Sequence, residues 1–277
     1  MTQQWTWQLL RAGAFRLDGG SMFGVVPRTL WSRLVEPDDQ NRIPLQTNCL
    51  LLSGGDRRVL IEAGFGDKWS DKERGFYDLE RRAVRDAVAE VNIDPEDITD
   101  VIVTHLHFDH AGGLTMRDPS GEVMSVFPHA TIHVQRQEWK DAMNNRSTMS
   151  RTYLRDHLDP VAEQVELIDG EREVLPGITV WPMPGHTWGQ QAVRFTDDRG
   201  VVCFPGDVMP TVHHVGAAFS MGYDMLPYDN MLSKQALLEQ AEAENWRIVL
   251  DHESGHPVVT VGRDADRPGR FALSPAN

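Results

Sequence analysis

With 277 residues the chain can bury a core without help from disulfides or a structural metal, and no shift in composition forces a second domain. Its formal net charge of −14 argues against a nucleic-acid binder, since a phosphate backbone is held mainly by Lys and Arg. No apolar run reaches the roughly 18 residues of a membrane span, and the opening MTQQWTWQLLRAG lacks the charged-then-apolar order of a secretory leader, so the expectation is a cytoplasmic protein without membrane contact.

A single domain over 1–277 is expected, with 1–44 as an N-terminal extension that contributes to a pocket or a subunit contact. Trp5, Trp7 and Trp31 in that extension would suit the covered face of a homodimer. NCLLLSG (48–54) and VLIEAGFG (59–66) read as two strands around a GDRR turn. DLERRAVRDAVAEV (78–91) reads as a helix capped by Asp78, with Leu79, Ala83, Val84, Ala87 and Val91 on one stripe. DVIVTHLH (100–107) is strand-like and stops at FDHAGG. Further strands are expected at 130–134, 165–168, 177–183, 191–195, 201–204 and 247–250, and helices at 135–143, 150–158 and 229–246. Strands outnumber helices and the long helices lie between strand pairs, which predicts two β-sheets with helices outside them. Cys49 and Cys203 sit in apolar strand-like runs and are expected to be buried free thiols.

The strongest chemical signal is THLHFDHAGG (104–113). In an extended segment the side chains of His105 and His107 point the same way, so both imidazoles can reach one metal. Beyond them the chain must turn, which lets Asp109 and His110 converge on a second metal, while Gly112 and Gly113 let the backbone pass closely. Two sites need more ligands, and His186, Asp207 and His252 each follow an apolar strand-like run. The assignment is His105, His107 and His186 on one metal and Asp109, His110 and His252 on the other, with Asp207 bridging. Asp251 and His256 compete with His252. Nitrogen and carboxylate donors suit two divalent ions; zinc is the default, and manganese, cobalt and iron are compatible. Glu62 could orient a ligand from behind, and His133 reads as a structural histidine within a strand.

With these residues in hand, the chain resembles the metallo-β-lactamase superfamily, whose HxHxDH motif and later His, Asp and His are matched here by His105, His107, Asp109, His110, His186, Asp207 and His252. The likeness implies an α/β fold, an αββα four-layer sandwich with a dinuclear site at one edge of its sheets. Within the superfamily the chain is most similar to quorum-quenching N-acyl homoserine lactone lactonases, through THLHFDHAGG, LDGGSMFGVVPRTLW (17–31), NRIPL (41–45), VFPHATIHVQRQEW (126–139) and GDVMPT (206–211). That implies hydrolysis of a small lactone by attack of a hydroxide shared between the metals. The alternative is an organophosphate triester or other carboxylic ester hydrolase with the same site. A glyoxalase-like thioesterase fits less well, because no basic C-terminal patch is evident.

One departure bears on catalysis. Some of these lactonases carry a tyrosine three residues after the bridging aspartate, where this chain has Pro210. Tyr223, His213 or His214 could replace it as the donor to the substrate carbonyl, and Asp109 could steer the nucleophile or carry a proton. An acyl tail needs an apolar groove, for which Met22, Phe23 and Phe108, together with Val25 and Val26, are candidates.

Overall fold

The computed structural model describes residues 4–276. In chain order, β1 (Thr6–Asp18) is followed by the short helices α1 (Gly19–Phe23) and α2 (Arg28–Trp31), then β2 (Arg42–Gly54), β3 (Arg57–Ile61), α3 (Asp71–Tyr77), α4 (Val84–Glu90) and β4 (Asp100–Ile102). Next come α5 (Phe108–Ala111), a hairpin of β5 (Thr115–Arg117) and β6 (Val123–Ser125), β7 (Thr131–Gln135), α6 (Arg136–Met143), α7 (Arg155–Leu158) and β8 (Val165–Ile168). The second half holds β9 (Arg172–Leu175), β10 (Ile178–Pro182), β11 (Gln191–Asp197), β12 (Gly200–Phe204), α8 (Pro227–Ala243), β13 (Arg247–Val249), β14 (Val258–Arg263) and β15 (Phe271–Pro275).

The strands form two large sheets, one ordered β1-β2-β3-β4-β7-β8 and the other β15-β14-β13-β12-β11-β10-β9. Strand alternation explains the layers. On β2, Leu50 and Leu52 face the second sheet, where they join Ile178, Val193, Phe195 and Phe204. The intervening Cys49 and Leu51 face outward and pack with Val84, Ala87 and Val88 of α4. On β12, Val202 and Phe204 likewise point between the sheets, while Cys203 meets Leu237, Leu238 and Ala241 of α8 on the far side. The result is the expected αββα sandwich, and both cysteines are free and buried in it. Among the described residues no helix is long and apolar enough to cross a membrane.

Several local expectations are corrected. Asp78 does not cap a helix over 78–91: it sits at φ 49°, ψ 46° and ends α3, and the next helix starts only at Val84. α3 itself has a reciprocal cap between Ser70 and Glu73 that the sequence reading passed over. Of the helix expected over 150–158 only Arg155–Leu158 forms. Within the 1–44 segment, residues 6–18 form a strand that the sequence reading did not expect: β1 pairs antiparallel with β2 from Thr6↔Ser53 to Asp18↔Arg42, with a bulge between Arg11 and Ala14. Trp5 and Trp31 are interior rather than on a covered outer face, and half-buried Trp7 donates through Nε1 to Asp197 at 2.8 Å.

Candidate metal centre

β4 ends at Ile102, so strand alternation is not what aligns His105 and His107. They lie on the segment leaving the sheet and meet edge to face, their ring centroids 4.6 Å apart. His107 then precedes α5, whose single turn carries Asp109 and His110. The second sheet sends His186 from the β10–β11 connection, Asp207 from the turn after β12, and His252 from the loop after β13. Two glycines make these placements feasible. Gly206 has φ +57°, and a Cβ there would fall 2.6 Å from Thr104 Oγ1. At Gly185 a Cβ would collide with the backbone of Asn230 on α8.

The side chains gather into two groups. Ligand atoms of His105, His107 and His186 lie within 4.8 Å of one another, as do those of His110, Asp207, Asp251 and His252. His186 Nε2 is 2.8 Å from His107 Nδ1, and His252 Nε2 is 3.2 Å from His110 Nε2. Asp207 stands between the groups: Oδ2 is 3.1 Å from His186 Nε2, 3.7 Å from His110 Nε2 and 3.8 Å from His105 Nε2, while Oδ1 is 3.3 Å from His252 Nε2. Asp109 lies at the edge of the second group, its Oδ2 3.5 Å from His252 Nε2. Asp251, which the sequence reading held only as a competitor of His252, belongs to that group.

These residues fit divalent cations. His105 Nε2, His107 Nε2, Asp207 Oδ1 and Asp251 Oδ2 are buried without a hydrogen-bond partner. Such orphaned acceptors are costly unless something electropositive meets them. Burial holds His105 and His107 well below the ordinary imidazole pKa, which leaves their lone pairs free. Burial also disfavours charge on the other three imidazoles, but carboxylates outweigh it. Glu62 and Asp109 raise His110, Asp207 and Asp224 raise His186, and Asp251 and Asp207 push His252 up to about 9. Burial pushes the Asp251 carboxyl up to about 8. Nitrogen and oxygen donors without a thiolate are a hard-to-borderline set.

A second layer fixes the rings from behind. Thr104 Oγ1 lies 3.0 Å from His105 Nδ1, Glu62 Oε2 lies 3.2 Å from His110 Nδ1, and Asp224 Oδ1 lies 3.0 Å from His186 Nδ1. The Gln46 carbonyl is 2.9 Å from His252 Nδ1. The Glu62 contact was anticipated; Thr104, Asp224 and Gln46 were not. His133 Nε2 pairs with Asp100 at 2.9 Å, away from the cluster.

Above the ligands opens a cavity of about 430 Å³ lined by His107, Asp109, His186, Asp207 and His252 at its base. Met22, Phe108 and Tyr223 line its wall, together with Leu17, Tyr77, Met149 and Met221, which sequence reasoning missed. Phe23 does not line it. That ring is fully buried behind Met22, stacked between Trp31 and His214. His214 is also placed elsewhere: its Nε2 lies 2.8 Å from the Met22 carbonyl and its Nδ1 2.8 Å from Thr211 Oγ1, so neither nitrogen is free for a substrate. His213 faces a separate cavity. Of the three donors considered, only Tyr223 lines the cavity above the cluster.

The family profile described as the metallo-beta-lactamase superfamily matches residues 42–252. An N-acyl homoserine lactonase of Bacillus sp. is 29% identical over 231 residues, covering 79% of this chain and 81% of the relative. A solved "probable metal-dependent hydrolase" from Staphylococcus aureus superposes with a TM-score of 0.88 at 26% identity, over 100% of this chain and 99% of that one. The dizinc quorum-quenching lactonase AidC shares the fold, with a TM-score of 0.80 at 16% identity over 100% of this chain and 96% of its own. On its fold and the length of the profile match, this chain belongs to the metallo-β-lactamase superfamily.

Proposed function

We propose that this hydrolase opens the ring of N-acyl homoserine lactones at a dinuclear metal centre. The observation that carries the reading is the cavity of about 430 Å³, whose base is the His/Asp cluster and whose wall is apolar along Leu17, Met22, Phe108, Met149 and Met221 and polar along Thr148, Ser150, Arg151 and Thr152. Its size suits a ligand with a small polar head and an acyl tail. His105, His107 and His186 would hold one cation, and His110, Asp109 and His252 the other, with Asp207 between them and Asp251 as an additional donor. Zinc suits these ligands best, and such ions supply Lewis-acid polarisation of an ester carbonyl together with a more acidic water.

The protein's own groups do the rest. The Tyr223 hydroxyl takes the donor role left open by Pro210 and hydrogen-bonds the carbonyl oxygen as negative charge grows on it. Asp109, at the cavity base, orients the attacking water and passes a proton towards the leaving ring oxygen. Leu17, Met22, Phe108, Met149 and Met221 receive the acyl chain and exclude water from it.

Steady-state kinetics on short- and long-chain acyl homoserine lactones, a simple lactone, a carboxylic ester and a phosphotriester, with metal content quantified, tests the reading. Efficient opening of the acyl lactones, lost on chelation and in His107→Ala, is the expected result. Efficient triester or ester cleavage beside negligible lactone opening would replace the substrate assignment while leaving the metal centre in place.

A further inference from the structure

A second cavity, of about 620 Å³, lies between α8, the β14–β15 hairpin and residues 212–219. It is larger than the one over the metal ligands, and no step of the hydrolysis uses it. Its lining divides into two kinds of surface. Val212, Val215, Phe219, Leu238 and Phe271 make an apolar portion. Lys234, Arg263, Arg267 and Arg270 make a cationic one, against the carboxylates of Glu239 and Asp264. In a chain of net charge −14 such a local excess of cations is unusual.

The cations are not equally satisfied. Arg263 pairs with Glu242 and lies over the Phe271 ring, 4.0 Å from its centroid. Arg267 is 2.8 Å from Asp264. The exposed Arg270 side chain has no hydrogen bond or ion pair among the described residues. Lys234 is 1% exposed and donates to the Phe219 carbonyl at 2.6 Å, with no ion-pair partner among the described residues. A buried ammonium without a counter-ion is a standing cost to the fold, and an anion brought to it would offset that cost. Burial pushes the Lys234 pKa down to about 8 against the opposing pull of the Asp224 carboxylate, which makes no ion pair with it.

We infer that this cavity is a second ligand site, which takes an amphipathic monoanion of the medium-chain carboxylate class, its head at Lys234 and the arginines and its tail against Phe219, Leu238 and Phe271. The inference does not depend on the lactonase reading. The segment 212–223 borders both cavities, since Val212, Val215 and Phe219 line this one and Met221 and Tyr223 line the other. Occupancy here therefore abuts the wall on which the catalytic cavity rests.

Calorimetric titration of the metal-loaded protein with decanoate tests the site, with inorganic phosphate and decyltrimethylammonium as controls. Decanoate should bind saturably, neither control should displace it, and binding should survive Met149→Trp, which narrows the metal cavity instead. Paired Arg267→Glu and Arg270→Glu substitutions on the exposed turn, and separately Lys234→Met, should each weaken it by about tenfold, the loss of a charge-assisted contact. Decanoate binding abolished by Met149→Trp and indifferent to charge reversal would put the amphiphile in the metal cavity alone and overturn the inference. Equal displacement by phosphate, or no binding at all, would overturn it too.

Discussion

The two cavities share a wall and present opposite chemistry. In the His/Asp cluster the unpartnered buried atoms are acceptors: imidazole nitrogens of His105 and His107 and oxygens of Asp207 and Asp251. In the cavity beside α8 the buried charged group is a donor, the Lys234 ammonium, whose hydrogen bond goes to a backbone carbonyl rather than to a carboxylate. The sign of what a site lacks is thus written in the polar groups that the fold leaves unmatched, because a folded chain seldom buries an unpaired charge without a use for it.

The contrast can be broken most severely at Asp207, the carboxylate both ligand groups reach. Asp207→Ala should lower kcat/KM for an acyl lactone on the order of a thousandfold and reduce bound metal below two ions per chain, read by kinetics and metal analysis. Retained metal and activity would mean that the imidazoles alone suffice. Tyr223→Phe should cost about a hundredfold in kcat with metal content unchanged, as for removal of one oxyanion donor. Unaltered kcat would return the donor role to the cations.

Asp224→Ala and Glu62→Gln probe the layer behind the ligands on opposite sides of the site, and each should cost about 10- to 100-fold in metal affinity. Silence at both would show that backbone contacts orient the rings. The smallest effect belongs to the other cavity. Lys234 has a folded pKa of about 8 against 10.5 for the free side chain, so its charge destabilises the fold below pH 8 and the penalty fades as pH rises towards 10.5. Lys234→Met should flatten that rise, measured by urea unfolding at several pH values. Decanoate should flatten it in the wild-type chain as well.

The His/Asp cluster was legible because four of its residues fall within six positions and the rest follow apolar strands. Their supports were not. Asp224 reaches His186 across 38 residues of chain and Glu62 reaches His110 across 48, and nothing in local spacing announces such pairs, although Glu62 stood out at a strand end. Tyr77, Met149 and Met221 line the cavity from helix ends and loops, where no periodicity marks them. Among the elements, the runs over 165–168 and 201–204 were plain apolar strands, whereas β1 went unread because Arg11 and Gly13 interrupt its alternation at the bulge. β14 and β15 are half-exposed and went unread although VVTVGR and FALSP are largely apolar, because no strand-like run beyond 250 was considered. The helix over 78–91 failed for a different reason: periodicity said nothing of Asp78 adopting a left-handed backbone and stopping one helix before the next began.

β1 also has a meaning for anyone who shortens the protein. It covers the flank of β2, a thirteen-residue strand that is buried from Leu45 to Leu52 and runs Cys49-Leu50-Leu51-Leu52 in its second half, and its Phe15 ring packs edge-on against His252 at 5.2 Å. Deleting the first eighteen residues would leave β2 as a long, greasy, unpaired margin, a template for strand addition between molecules. Self-association and precipitation, rather than a trimmed but active enzyme, are what such a truncation should yield.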